Sequence, residues 1–207
     1  MNNYRADLHI HTVLSPCADL EMSPLNIVNK AVESGLDIIG VSDHNTTRHC
    51  RLVKDLAEER GVFVMMGSEV NTREEIHCLT FFESFDMLDL FQQFLDENLP
   101  DIQNDPVRFG YQVQVDKDEN IIYEEPRMLF SALTKGFDQI REKVRELEGI
   151  FIPAHIDRPR NSIYSQLGLL PDNLDVDALE ISRKANLREF IGQHPEIRNY
   201  TGITSSD

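Results

Sequence analysis

Short apolar runs of strand length alternate along this chain with stretches of helical periodicity, and nearly every run closes on, or carries, a histidine or a carboxylate. Strand–helix alternation is the pattern of a parallel sheet with crossover helices. Six or seven such units with polar groups at the C-terminal strand ends fit a β/α barrel better than an open sheet, because a barrel brings all those ends to one rim. The first run, Tyr4 to His11, ends in His9-Ile10-His11, and alternation along a strand puts both imidazoles on one face, where they can reach one ion. Asp43-His44, Glu69, His77, His155 and Asp207 follow.

Ser23-Pro24 reads as a helix N-cap with proline at the first helical position; Ile27, Val28, Ala31 and Val32 form the apolar stripe and Gly35 closes it. Leu36 to Ser42 reads as a strand buried on both faces, ending at Asp43-His44. Thr46 or Thr47 caps a second helix closed by Gly61, Val62 to Met66 is the next strand with Glu69 just past it, Ile76 to Phe82 is a strand bearing His77, and Phe85 to Leu95 is helical. The rhythm breaks between Pro100 and Pro126, where Val107 to Val115 and Ile121 to Tyr123 alternate about an acidic tip as a hairpin. Arg127 to Glu148 then reads as helix, Ile150 to Ala154 as a strand closed by His155, Ala178 to Ser182 as another, and Tyr200 to Ser205 as the start of the last. The expectation is one domain over residues 1–207 with an insertion at about 85–126.

Composition excludes some classes. No stretch approaches the roughly 20 apolar residues of a membrane span, and the N-terminus has no apolar signal region, so no membrane partner and a cytoplasmic location are expected. Cys17, Cys50 and Cys78 form neither an even set nor a Cys-x-x-Cys pair, which argues against disulfides and thiolate zinc. A formal charge of -16 disfavours broad contact with phosphate backbones, so no bulk nucleic-acid binding is expected, while bound cations would still admit a small phosphorylated substrate. Oligomeric state is not legible.

Singly, each polar group has a plain structural reading: half-exposed strand histidines, a capping aspartate, a surface carboxylate, a hydrogen-bonded core histidine. Jointly, five separate strands deliver ligand-type groups to one rim. His49 and His194 read as surface residues, on the polar side of the second helix and in a turn before Pro195.

The segments Asp7-Leu-His-Ile-His-Thr12, Val41-Ser-Asp-His-Asn45, Gly67-Ser-Glu-Val70, His77, Ile152-Pro-Ala-His155 and Ser205-Ser-Asp207 resemble, in order, the motifs of the polymerase and histidinol phosphatase (PHP) domain family. The resemblance implies a distorted seven-stranded β/α (TIM-like) barrel, two or three divalent metal ions (zinc, manganese or iron) and phosphoesterase activity. It implies His9, His11, Glu69 and Asp207 as ligands of one metal, Glu69, His77 and His155 as ligands of a second, and His44 as a ligand of a third. Asp43 resembles an acid that orients the first site, and Asp43 or His44 is a candidate for proton transfer. The third site's completing residues depart from the family pattern: Asp19 is the expected ligand, with Cys17 as the alternative, and the chain stops at Asp207 where the family continues with Ala-His, so a barrel truncated at its last strand is expected. Arg158 in Asp157-Arg-Pro-Arg160, and the pair Arg183-Lys184, are candidates to hold substrate phosphate.

The function expected is a metal-dependent phosphoesterase hydrolysing a small-molecule phosphate ester through a metal-activated water. The alternatives are a metal-dependent hydrolase of C-N or carboxylic ester bonds, whose mark would be a carbamylated lysine or extra catalytic aspartate, and a non-catalytic metal-stabilised binding module, whose mark would be lost ligands.

Overall fold

A computed structural model describes residues 3–183, 185 and 187–207. In chain order the elements are β1 (Ala6–Ile10), α1 (Pro24–Glu33), β2 (Ile38–Val41), α2 (Cys50–Glu58), β3 (Phe63–Asn71), β4 (His77–Phe82), α3 (Phe85–Asn98), α4 (Pro106–Phe109), β5 (Val113–Val115), β6 (Ile121–Glu124), α5 (Phe137–Glu146), β7 (Ile150–Pro153), α6 (Ile163–Leu167), β8 (Leu179–Glu180), α7 (Leu187–Gln193) and β9 (Gly202–Ile203).

Local chemistry fixes the first unit as expected. The Ser23 side chain accepts from the Asn26 N–H, Pro24 occupies the first turn, and Gly35 follows at φ +65°. Ile27, Val28 and Ala31 turn inward onto β2, whose Ile39 and Val41 are buried. The second helix starts later than either threonine suggests: its cap is His49, and the Thr47 carbonyl accepts from Cys50.

The main sheet has five strands in the order β1-β2-β3-β4-β7. β1, β2 and β3 pair in parallel, but β3–β4 and β4–β7 are antiparallel. The seven-stranded barrel is therefore not what the ladders form: β8 and β9 make a separate parallel pair. Bonds outside the ladders bring that pair to both edges of the main sheet, from the Ile156 N–H to the Glu180 carbonyl and from the Leu8 N–H to Ser205 Oγ. The reversal at β4 follows from connection length. Five residues, 72–76, link β3 to β4, enough for a hairpin and too few for a parallel crossover.

At Gly67 a Cβ would lie 1.7 Å from the Thr80 carbonyl oxygen, so the backbones of β3 and β4 meet there in a way only glycine permits.

The expected helix from Arg127 to Glu148 is confined to Phe137–Glu146. The stretch before it is irregular, with a turn at Leu129 and Phe130, because side chains take its carbonyls: Asn45 Nδ2 donates to Leu129 and Ser131, and Asn71 Nδ2 donates to Phe130. The hairpin is shorter than expected, β5 and β6 alone, and Val107 lies in α4 instead. Among the described residues no helix is long and apolar enough to cross a membrane.

Candidate metal centre

The ends of β1, β3, β4 and β7, and the turn after β2, converge on the carboxylate of Glu69, which is 1% exposed. The Glu69 N–H donates to the carbonyls of Ser42 and Asp43, which docks β3 against the segment carrying His44. Five imidazoles ring its two oxygens. His77 Nδ1 lies 2.9 Å, His155 Nε2 3.1 Å and His9 Nε2 3.2 Å from Oε1; His44 Nδ1 lies 3.1 Å and His11 Nε2 3.4 Å from Oε2. Asp207 Oδ1 is 3.7 Å from Nε2 of both His9 and His11.

The hydrogen-bond network assigns tautomers. His9 Nδ1 lies 2.9 Å from Glu180 Oε2, a carboxylate that accepts, so Nδ1 carries the hydrogen and Nε2 offers a lone pair. The Ser15 hydroxyl donates to Asp43 Oδ1 at 2.6 Å and accepts from the His44 N–H, so it also accepts from His11 Nδ1 and leaves His11 Nε2 free. Two lone pairs thus face the Glu69 carboxylate, acceptor against acceptor. That arrangement needs protons or a cation between them. His9 Nε2 and His44 Nδ1, which face Glu69, are buried without a hydrogen-bond partner, so this donor set fits divalent metal ions. Among the described residues, three groups of ligand atoms lie within one ion's reach: His9, His11 and Glu69; His44, Glu69 and His77; and His11, Cys17 and His44.

Electrostatics tell the same story. Burial alone would depress His9, but Glu69 and Glu180 together hold it well above its ordinary value. His11 is raised to about 8, burial being outweighed by Asp207 and Glu69. Burial, opposed by the Glu69 charge and reinforced by the neighbouring rings of His11, His77 and His9, holds His44 well below its ordinary value. Glu69 is held far below the usual carboxylate range: burial opposes this, and His77, His9 and His44 overcome it.

Of the residues expected at the site, His9, His11, His44, Glu69, His77, His155 and Asp207 come together. Asp19 does not. It is exposed and caps its own turn, accepting from the Glu21 N–H, while Cys17 stands beside His11 and His44 in its place. Cys17 is exposed, yet partial desolvation by its neighbours and the charges of Glu69 and Asp43 push its thiol up to about 12. Asp43 is 1% exposed and bound by the Thr12 N–H, the Thr12 hydroxyl and Ser15, so it acts on the cluster through those residues. Arg158 Nη2 pairs with Asp207 Oδ2 at 2.5 Å and lines a cavity of about 620 Å³ with Arg183, His155 and Ser182. Lys184 lies outside the described residues.

Two residues escaped sequence reasoning. Glu180, 2% exposed, orients His9 and accepts the His155 N–H at 3.0 Å, which helps hold His155 at a left-handed φ of 29°. A glutamate inside an apolar strand was the available signal. His49, expected at the surface, is fully buried: Nε2 accepts from the Val115 N–H at 3.0 Å, so Nδ1 carries the hydrogen and donates to Thr12 Oγ1 at 2.6 Å. The β5–β6 hairpin covers the helix face that looked polar.

No family model matches the chain. An uncharacterized protein of Methanocaldococcus jannaschii is 27% identical over 187 residues, covering 86% of this chain and 80% of the relative. The lesion-specific endonuclease PfuEndoQ from Pyrococcus furiosus shares the fold with TM-score 0.67 and 19% identity, over 99% of this chain and 48% of that one, so this chain spans about half its length. A protein from Bifidobacterium adolescentis assigned as a metal-dependent phosphoesterase matches with TM-score 0.66 and 18% identity, over all of this chain and 88% of that one. An amidohydrolase from Chromobacterium violaceum matches with TM-score 0.63 and 12% identity, over 98% and 87% of the two chains. The resemblance to the PHP family is borne out at the level of the fold.

One expectation is overturned. Endonuclease Q, matched with TM-score 0.59 and 21% identity over 88% of this chain and 43% of that one, is known in complex with a 27-mer duplex substrate bearing an abasic lesion at its active site. Net charge therefore does not exclude nucleic acid, nor does it select a small phosphorylated molecule. The -16 is summed over the whole chain, whereas the field at a site is set by its nearest groups and ions.

Proposed function

We propose that this chain is a metal-dependent phosphoesterase whose metal ions are held by the histidines around Glu69. The observation that carries this reading is one buried carboxylate facing ring nitrogens of five histidines, at least two of them presenting lone pairs. His9, His11, Glu69 and Asp207 would hold one ion and Glu69, His77 and His155 a second, with His11, Cys17 and His44 as a third set. Nitrogen and oxygen donors of this kind suit zinc, manganese or iron. When bound, such ions polarise a phosphoryl oxygen and lower the pKa of a coordinated water.

The chain's own residues do the rest. Glu180 and Ser15 fix the His9 and His11 rings, and Asp43 fixes Ser15. Arg158 is held at the rim by Asp207 and presents its remaining N–H groups to phosphate oxygens in the adjoining cavity. His44, held below its ordinary value by burial, would accept a proton rather than donate one if left free of metal; as a ligand it would do neither.

The test is hydrolysis of bis(p-nitrophenyl) phosphate and p-nitrophenyl phosphate by chelator-stripped protein, with manganese, zinc or iron added back. Metal-restored turnover that disappears in Glu69→Gln is expected. Tight metal binding without phosphate ester turnover overturns the reading, and turnover of an amide or carboxylic ester instead moves the chain to that other class.

A further inference from the structure

A second cleft, of about 470 Å³, shares no lining residue with the Arg158 cavity and reaches His44, His77 and Cys17. Its far wall is two aromatic rings, Phe109 and Phe130, packed edge to face with centroids 5.4 Å apart, and Arg108 lies 5.4 Å from the Phe109 ring centroid. Neither ring belongs to the main sheet. Both come from the short helix and the irregular segment that flank the hairpin, yet Phe130 is fixed to the centre. Asn45, next to His44, donates to the carbonyls on either side of it; Asn71 donates to its own carbonyl at 2.9 Å; and the Asn45 side chain accepts the Asn71 N–H.

Asn71 also supplies an unanswered polar atom. It lines the cleft and is 5% exposed. Its Nδ2 is committed to a carbonyl, so the amide orientation is determined, and its Oδ1 is buried with no partner. A ligand that satisfies this cleft is planar, stacks on an aromatic ring and presents an N–H donor at its edge. Because the cleft opens onto the histidines, that ring belongs to a molecule whose phosphate lies over the metal ligands. The other cavity carries Arg158 and Arg183, suited to a further anionic group. A base in one cleft, a phosphate at the histidines and another phosphate in the Arg158 cavity describe a polynucleotide more economically than a free nucleotide.

We propose that the Phe109–Phe130 cleft seats a nucleobase of a nucleic-acid strand whose phosphodiester lies over the histidine cluster. The substrate class rests on the phosphoesterase reading; the cleft's affinity for a base does not.

Two experiments separate them. In the first, metal-loaded protein hydrolyses a dinucleoside monophosphate with amino-bearing bases and the same compound lacking one base. The base should raise kcat/KM by about tenfold, as expected for stacking on one aromatic ring, with KM carrying most of the change. Phe109→Ala should shrink that ratio. Phe130→Leu, which keeps bulk against the loop but not the π face, should shrink it as well. Equal rates on the two compounds, or a ratio indifferent to both variants, overturns the assignment, and a mononucleotide ester processed as well as the dinucleotide overturns the strand. In the second, the ring signals of Phe109 and Phe130 are followed by NMR as cytidine monophosphate is added to metal-free protein. Shifts without hydrolysis keep the base site and remove the esterase reading; hydrolysis without shifts or base preference does the reverse.

Discussion

The backbone N–H of Val115 donates to Nε2 of His49 at 3.0 Å, and through that ring the β5–β6 hairpin reaches the first strand: His49 Nδ1 donates to Thr12, and Thr12 donates to Asp43. The metal centre and the insertion are therefore linked by a chain of directed hydrogen bonds with no spare donor in it.

Replacing His49 by alanine leaves a buried Val115 N–H unpaired and opens a cavity under the hairpin. A loss of roughly 2–4 kcal/mol in unfolding free energy is expected, measured by urea denaturation. A loss below roughly 0.5 kcal/mol, the level of an ordinary surface substitution, would contradict the buried relay.

Burial holds His49 below its ordinary pKa of 6.5, the Asp43 charge only partly opposing it. Because the folded value is depressed, the unfolded chain binds the proton more readily. The stabilisation is fully present above the unfolded value and is lost as pH falls below it and through the folded value. Protonated Nε2 cannot accept from Val115. Hydrogen exchange at the Val115 amide, corrected for its intrinsic rate, should lose protection over that range; constant protection down to pH 4 would count against the assignment.

Glu180 Oε2 accepts from both the His9 ring and the His155 backbone, and Oε1 lies 3.1 Å from the same His9 ring nitrogen; a glutamine removes the charge and sets an NH2 group against that N–H. Glu180→Gln is expected to weaken metal binding about 10- to 100-fold with the fold intact, read by competition against a chromogenic chelator. Unchanged affinity would show that the tautomer is fixed otherwise.

Cys17 and Asp19 make opposite predictions. Cys17 stands with His11 and His44, so Cys17→Ser should lower the affinity or number of bound ions, whereas Asp19→Asn should alter neither. The reverse result, read by elemental analysis after dialysis, would restore Asp19 as the ligand.

The residues that sequence reasoning found are those whose signal is local. Ser23-Pro24 and Gly35 frame a helix by their own backbone preferences, and His9-Ile10-His11 shares a face by the period of a strand. Its misses are set by something distant in the chain. His49 looked exposed because nothing local reveals that residues 113–115 fold over it, and residues 127–135 looked helical because the asparagines that capture their carbonyls are 59 or more residues away. The reversed β4 was legible in its five-residue connection but was masked by the regular alternation around it. Asp19 came from a family pattern, and this chain bends through Cys17 instead.

The bond from His9 to Glu180 spans 171 residues, and that from Leu8 to Ser205 spans 197. No contiguous stretch of the polypeptide contains a working centre. During synthesis β1 to β4 can pair long before the residue that orients His9 has been made, and closing so large a loop is among the last and slowest steps of folding. Ions offered to the unfinished chain meet loose histidines and carboxylates free to ligate them in wrong combinations, so refolding first and adding metal afterwards should give the higher yield of ordered protein.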